Sequence, residues 1–363
     1  MKKLLCALMV AALACSLLSA CGSDRSGNGG SDGDARSIID IKGRTVVVPE
    51  IVNKVFVDWA QGGTLLMTLG AADKFAVVST RWFNDSDMAW SNIICPALAE
   101  IPRDLEPYSN LEALLAYEPD VVITSETGDY FKAEDYEGVG FPTVCVNFTD
   151  YDSFKQSMTV IGNVLGGEYA AKAARYNDFL DSNIALVTER LAGIGDADKQ
   201  SVYYIDSRTD SAYFTRGTGE IQETWIKLAG GKYATHALAG GSGSIEMSKE
   251  KLLTLDPDVI IVGSQWQADA MKLLMSDDTL AELRAVKSGQ VYRNPQGVFP
   301  WCKMGPEACM QMVWAAKLLY PDKFEDIDVA QMAKGFYLDF YGSELSNENI
   351  ANILAGKLSP TGE

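Results

Sequence analysis

The chain has 363 residues, 47% of them hydrophobic and 10% aromatic, with 49 acidic against 31 basic side chains and a formal charge of −18. That composition describes a globular protein with enough apolar residues for a large core, and its acidity argues against a nucleic-acid-binding surface, which depends on clustered positive charge. It also repels anionic lipid, so membrane attachment has to come from an anchor and not from a basic face.

Lys2 and Lys3 precede an almost unbroken apolar run over residues 4–18. The run is short for a membrane span and reads as the core of an export signal. It ends in Leu18-Ser19-Ala20-Cys21, small residues before a cysteine, the pattern of a bacterial lipoprotein whose Cys21 is acylated. Residues 22–37 are Gly, Ser, Asp and Asn with almost no apolar side chain, a composition that does not offset its ordering entropy. Such a tether reaches roughly 20 Å. The expected organisation is a signal peptide over 1–20, a lipidated cysteine and tether over 21–37, an α/β lobe over 38–166, a linking helix over 167–192 and a second α/β lobe over 193–363. The protein is expected to be exported and held at the cell membrane by its lipid alone.

Along the mature chain, Lys54-Val-Phe-Val57 is a strand and residues 64–70 a helix. The segment Glu112-Ala-Leu-Leu-Ala-Tyr-Glu-Pro119-Asp-Val-Val-Ile123 returns as Glu250-Lys-Leu-Leu-Thr-Leu-Asp-Pro257-Asp-Val-Ile-Ile261, with a constant spacing of 138 positions. Each copy predicts a short helix, a turn forced by proline and aspartate, and a buried strand apolar on both faces. Thr143 to Val146, Val202 to Ile205 and Val291 to Arg293 supply further strands, and residues 222–231 another helix. Strands alternating with helices predict a parallel sheet in each half. Between the halves, 152–165 and 168–191 read as two helices separated by Gly166-Gly167. The second carries Ala171, Ala174, Leu180, Ile184, Val187 and Leu191 at helical spacing, a rod of about 36 Å. Setting aside Cys6, Cys15 and Cys21 leaves Cys95, Cys145, Cys302 and Cys309. Outside the cytoplasm one or two disulfides are open to these four, and sequence does not choose the pairing.

In this order the motifs resemble the helical-backbone class of ABC-transporter substrate-binding proteins. The resemblance runs from Asp40 to Asn349 and rests on Asn110-Leu-Glu112 through Pro119-Asp-Val-Val, Gly166-Gly167-Glu168, Leu228-Ala-Gly-Gly231, Ser248-x-Glu250 through Pro257-Asp-Val-Ile, Ala285 to Tyr292, and Trp314 to Pro321. It implies an α/β fold of two Rossmann-like lobes with mostly parallel sheets, joined by a single long backbone helix. It also implies a monomer that works with an ABC permease and its ATPase. Family members bind ferric siderophores, cobalamin, haem or free metal ions, and Phe336-Tyr and Phe340-Tyr341 look like the iron-complex subgroup. The family's permease-docking acids fall on Glu112 and Glu250.

His236 is the single histidine, which disfavours a bare zinc or manganese site. Beyond the tether, where Gly29-Gly30-Ser31-Asp32-Gly33 matches the spacing without a predicted strand or helix beside it, no Gly-x-Ser-x-Gly elbow occurs, and no Gly-x-x-x-x-Gly-Lys loop occurs at all. An enzyme is therefore not expected, although a surface-anchored hydrolase and an adhesive lipoprotein are the competing classes. Ligands of such lobes sit beyond the carboxyl ends of the strands. The loops there offer Arg81, Trp82, Tyr130, Arg216, Trp266 and Trp301, aromatic faces and guanidinium forks suited to an anionic iron chelate. Cobalamin or haem is the alternative ligand, and no resident cofactor or metal is expected.

Overall fold

The computed structural model describes residues 35–81, 89–126, 128, 130–209, 212–238, 241–263 and 267–360. The export signal, Cys21 with most of the tether, Trp82 and Trp266 lie outside the described residues.

A hairpin of β1 (Ala35–Ile39) and β2 (Thr45–Pro49) comes first. It corrects the tether boundary, because Ala35, Arg36 and Ser37 already pair with Pro49, Val48 and Val47. Arg36 explains the order: its guanidinium donates to the carbonyls of Asn163 and Val164, 2.7 and 2.9 Å away. There follow β3 (Val55–Val57), α1 (Ala60–Thr68), α2 (Ala89–Ile94), α3 (Leu111–Leu115), β4 (Val121–Ser125), α4 (Ala133–Gly138) and β5 (Thr143–Val146). The strands form a parallel sheet in the order β3-β4-β5.

Then come α5 (Tyr151–Leu165) and α6 (Gly167–Arg190). Asp150 caps α5 by accepting from the Ser153 amide, and Gly166 ends it at a positive φ of 73°. At 24 residues, α6 is the expected rod. Its buried stripe differs from the expected one. Ala171 and Ala174 are exposed, while Ala173, Tyr176, Leu180, Asn183 and Val187 face inward. Alanine loses little by exposure, and the polar pair is satisfied inside: Tyr176 donates to Pro306 O and Asn183 to Cys309 O.

The second half holds β6 (Ser201–Ile205), β7 (Ser207–Arg208), β8 (Ala212–Arg216), α7 (Ile221–Leu228), β9 (Lys232–Tyr233), β10 (Ser244–Ser248), α8 (Lys249–Leu255), β11 (Val259–Val262), α9 (Gln267–Ser276), α10 (Arg284–Lys287) and β12 (Val291–Arg293). Its parallel sheet runs β12-β11-β6-β9, and β10-β8-β7 form an antiparallel side sheet. The duplication reaches the backbone. Among the described residues Glu118 and Asp256 are the non-glycine positions with positive φ, 48° and 39°, each directly before the proline of its repeat. The next residue acts alike in both copies: Asp120 accepts from the amide of Lys54 beside β3, and Asp258 from that of Ser201 at the start of β6.

Finally α11 (Ala308–Leu319), α12 (Val329–Tyr341) and α13 (Asn347–Leu354) close the chain. They do not stay with the second sheet. Thr68 of α1 donates to the Tyr341 hydroxyl at 2.9 Å, and the Trp90 indole N–H to Lys357 O. One apolar cluster consequently runs through both halves around α5, α6 and α11. Cys95, Cys145, Cys302 and Cys309 are all buried free thiols. No described helix is long and apolar enough to cross a membrane.

Candidate functional site: a cleft between two helix N-termini

Three strand ends build one wall of a cavity of about 650 Å³. The turn after β3 supplies Trp59 and the start of α1 Gln61, the end of β4 Ser125, and the end of β5 Asn147 to Thr149. Ser157 of α5 clamps the last of these, accepting from Asn147 N at 3.2 Å and donating to Asn147 O at 2.8 Å. Trp59 packs on Phe148 with ring centroids 6.4 Å apart. The opposite wall is Arg216 at the end of β8, the turn and first residues of α7 from Gly219 to Gln222, and Ser242. Lys303 and Met304, from the loop between β12 and α11, also line the cavity. That loop is seated by α7, since the Gln222 amide and the Trp225 indole both donate to Cys302 O, at 3.0 and 3.2 Å.

Two helices, one per half, begin at this cavity, and neither is capped by its own side chain: Trp59 precedes α1 and Glu220 precedes α7. Uncapped first-turn N–H groups and the positive end of the helix dipole favour an anion. Arg216 adds charge. Burial works against it, but Asp206, whose carboxylate lies 2.9 Å away and is 8% exposed, outweighs that and holds its pKa up. The Lys303 ammonium has no ion-pair partner among the described residues. Glu223 is consumed internally. Burial raises its pKa, yet Lys227 at 2.6 Å, the Gly219 amide and His236 at 2.5 Å more than reverse that. Ser125 Oγ and Gln222 Oε1 are buried with no described partner, on residues that line the cavity.

Of the expected site residues the cavity contains Arg216. Arg81 is exposed and does not line it. Tyr130 is half-buried, edge-on to Tyr108 at 5.4 Å in a small cluster behind β4, and it is not in the wall. Trp301 needs correction: it is 0% exposed inside the main core and offers no face to a ligand. The hold on Cys302 O turns Trp301 inward and leaves Lys303 and Met304 to the cavity. Trp59, Gln61, Asn147, Phe148, Glu220 and Lys303 went unread. Asp58-Trp59-Ala-Gln-Gly-Gly63 carried a signal, a strand running straight into a glycine-rich helix start. His236 sits on the surface. Glu112 and Glu250 are exposed, each the second residue of its helix, behind the caps Asn110 and Ser248. Among the described residues no three His, Cys, Asp or Glu side chains gather as a metal-binding group.

The family model described as periplasmic binding protein matches residues 55–297. The molybdate-binding protein MolA of Haemophilus influenzae is 26% identical over 343 residues, covering 87% of this chain and 93% of that protein. The Fe(3+)-citrate-binding protein YfmC of Bacillus subtilis is 24% identical over 303 residues, covering 80% and 89%. Among solved structures, MolA bound to molybdate superposes with a TM-score of 0.72 at 24% identity, covering 86% of this chain and 99% of that one. A periplasmic solute-binding protein from Veillonella parvula gives 0.76 at 20% identity, covering 89% and 97%. The matched family spans both halves of the cleft, and its relatives are solute-binding proteins rather than enzymes; this chain belongs to the periplasmic binding protein family, as the substrate-binding component of an ABC transporter.

Proposed function

We propose that the protein captures an anionic iron chelate, of the ferric hydroxycarboxylate or siderophore type, in the cleft and hands it to a membrane permease. The observation that carries this reading is the pair of uncapped helix N-termini facing one cavity with Arg216 and Lys303. A cavity of about 650 Å³ falls within the roughly 300–1,000 Å³ of small organic ligand pockets, which suits a chelate. Iron would arrive inside its chelator, so no protein ligand set is required. YfmC, named for ferric citrate, supports this choice. Molybdate is the second reading, favoured by the likeness to MolA along most of both chains. Cobalamin and haem are weaker, since one aromatic pair, Trp59 and Phe148, stands among mostly polar walls.

In this proposal the Cys21 lipid holds the protein at the membrane, and Glu112 and Glu250, one per repeat, meet basic groups of the permease. Opposed charges at such a surface steer encounter and fix orientation. A thermal-shift panel of ferric citrate, ferric siderophores, molybdate, cobalamin and haem tests the ligand. A true ligand at one hundred times its Kd stabilises the fold by about 2.7 kcal/mol. A shift with cobalamin or haem alone, or with none of the panel, contradicts the reading.

A further inference from the structure

We infer that Glu220 is a specificity-determining residue: it admits anions that carry a hydrogen-bond donor beside their charge and disfavours fully deprotonated oxyanions. This rests on the cleft being an anion site, as proposed above, and narrows the class of anion.

Glu220 occupies the cap position of α7, but its side chain does not cap that helix. Oε1 instead accepts from Gly243 N at 2.8 Å. The backbone around that bond is fixed twice more, by Gly217 N to Gly243 O at 2.7 Å and Thr218 N to Gly241 O at 3.1 Å. A β-carbon at position 217 would collide with Gly241 O, so only glycine permits this close approach. The carboxylate is thereby held in the cavity wall, and no described residue donates to Oε2. Gln222, two residues on, makes the same demand. It is 3% exposed, its Nε2 is committed to Cys302 O, and Oε1 is left without a described partner. Because the donor end must face the Cys302 carbonyl, the other end is an acceptor.

The first turn of α7 thus sets two acceptors beside Arg216, Lys303 and the helix N–H groups. A carboxylate only accepts. An anion that presents acceptors all round meets Glu220 with like charge and leaves both acceptors unpaired on closure. An anion bearing a hydroxyl, a protonated oxygen or a metal-bound water satisfies them. Sites built around such a bond reject analogues that lack it far more strongly than apolar pockets reject a missing methylene. The arrangement therefore favours a hydrated or hydroxylated ferric chelate over molybdate.

The test is equilibrium titration of the full chain and of Glu220→Gln at pH 7.5 with three probes: ferric citrate, which carries donors, and molybdate and sulfate, which carry none. In the wild type ferric citrate binds more tightly than molybdate. In Glu220→Gln, whose amide can present a donor, the ratio of the two affinities shifts toward molybdate by about tenfold or more, and sulfate gains as well. An unchanged ratio, or equal weakening of all three, overturns the inference. So does wild-type binding of molybdate as tight as that of ferric citrate, which needs no variant to fold. If the wild type binds none of the probes, the iron-chelate reading fails on its own. The role of Glu220 then stands if the variant gains molybdate or sulfate binding and falls if it does not.

Discussion

The Trp59 indole lies over Gly62 so closely that a β-carbon at position 62 would stand 2.7 to 2.8 Å from three of its ring carbons. Gly62 is in the first turn of α1, where alanine would ordinarily be the better helix former. Here the ring would have to move, and the ring forms the cavity wall. Gly62→Ala is expected to destabilise the protein by about 1–2 kcal/mol by denaturant unfolding, against the propensity trend. It should also weaken ligand binding several-fold. An increase in stability would mean that Trp59 is free to shift.

Arg216 has two duties that mutation can separate. Removing it alone, as Arg216→Gln, takes away a guanidinium that lies 2.9 Å from the nearly buried Asp206 carboxylate and should cost about 2 kcal/mol. Adding Asp206→Asn should recover most of that stability while ligand affinity stays low. Recovery of affinity in the double variant would show that Arg216 only balances Asp206.

Glu307 dominates the expected pH dependence. It is fully buried at the entrance to α11, and burial pushes its pKa up to about 7 although the Val298 and Phe299 amides and the Tyr337 hydroxyl pull it down. An unfolded glutamate ionises near 4.3. As pH rises from there toward 7 the unfolded chain releases a proton that the folded chain keeps, so this group removes stability across that window and nothing more above it. The slope from one proton is at most about 1.4 kcal/mol per pH unit. Glu307→Gln should flatten the stability profile between pH 5 and 7. A profile unchanged by the substitution would contradict the assignment.

Glu112→Lys with Glu250→Lys tests docking. Both side chains are exposed, and each loses a favourable position near a helix N-terminus worth about 0.3–1 kcal/mol. Uptake by cells carrying the transporter should fall strongly while the Kd of the isolated protein stays within about twofold. Loss of ligand binding in this variant would place the two acids elsewhere in the mechanism.

The repeat was legible because it is local chemistry. An acidic residue, proline and aspartate force the same left-handed turn at Glu118 and Asp256, and a β-branched run after them has one way to be buried. Lengths of rods are legible too, as α6 shows. The cleft was not. Trp301 and Lys303 are two residues apart in a loop without periodicity, and which one faces the cavity is decided by two donors on α7 that bind Cys302 O. Trp59 stands outside the loops rich in aromatics, at a point where a strand runs almost directly into a helix. The return of α12 to α1 depends on tertiary packing that no local pattern announces.

The most direct test is equilibrium titration of the wild type and of Lys303→Glu with ferric citrate and with molybdate. Lys303 has no described ion-pair partner, so reversing its charge should leave the unfolding temperature nearly unchanged. One equivalent of ferric citrate binding to the wild type with a Kd of about 1 µM or tighter, weakened at least about tenfold in Lys303→Glu, is the predicted result. Binding of equal strength in both proteins, or no binding of either anion to the wild type, would contradict an anion-capturing cleft between α1 and α7.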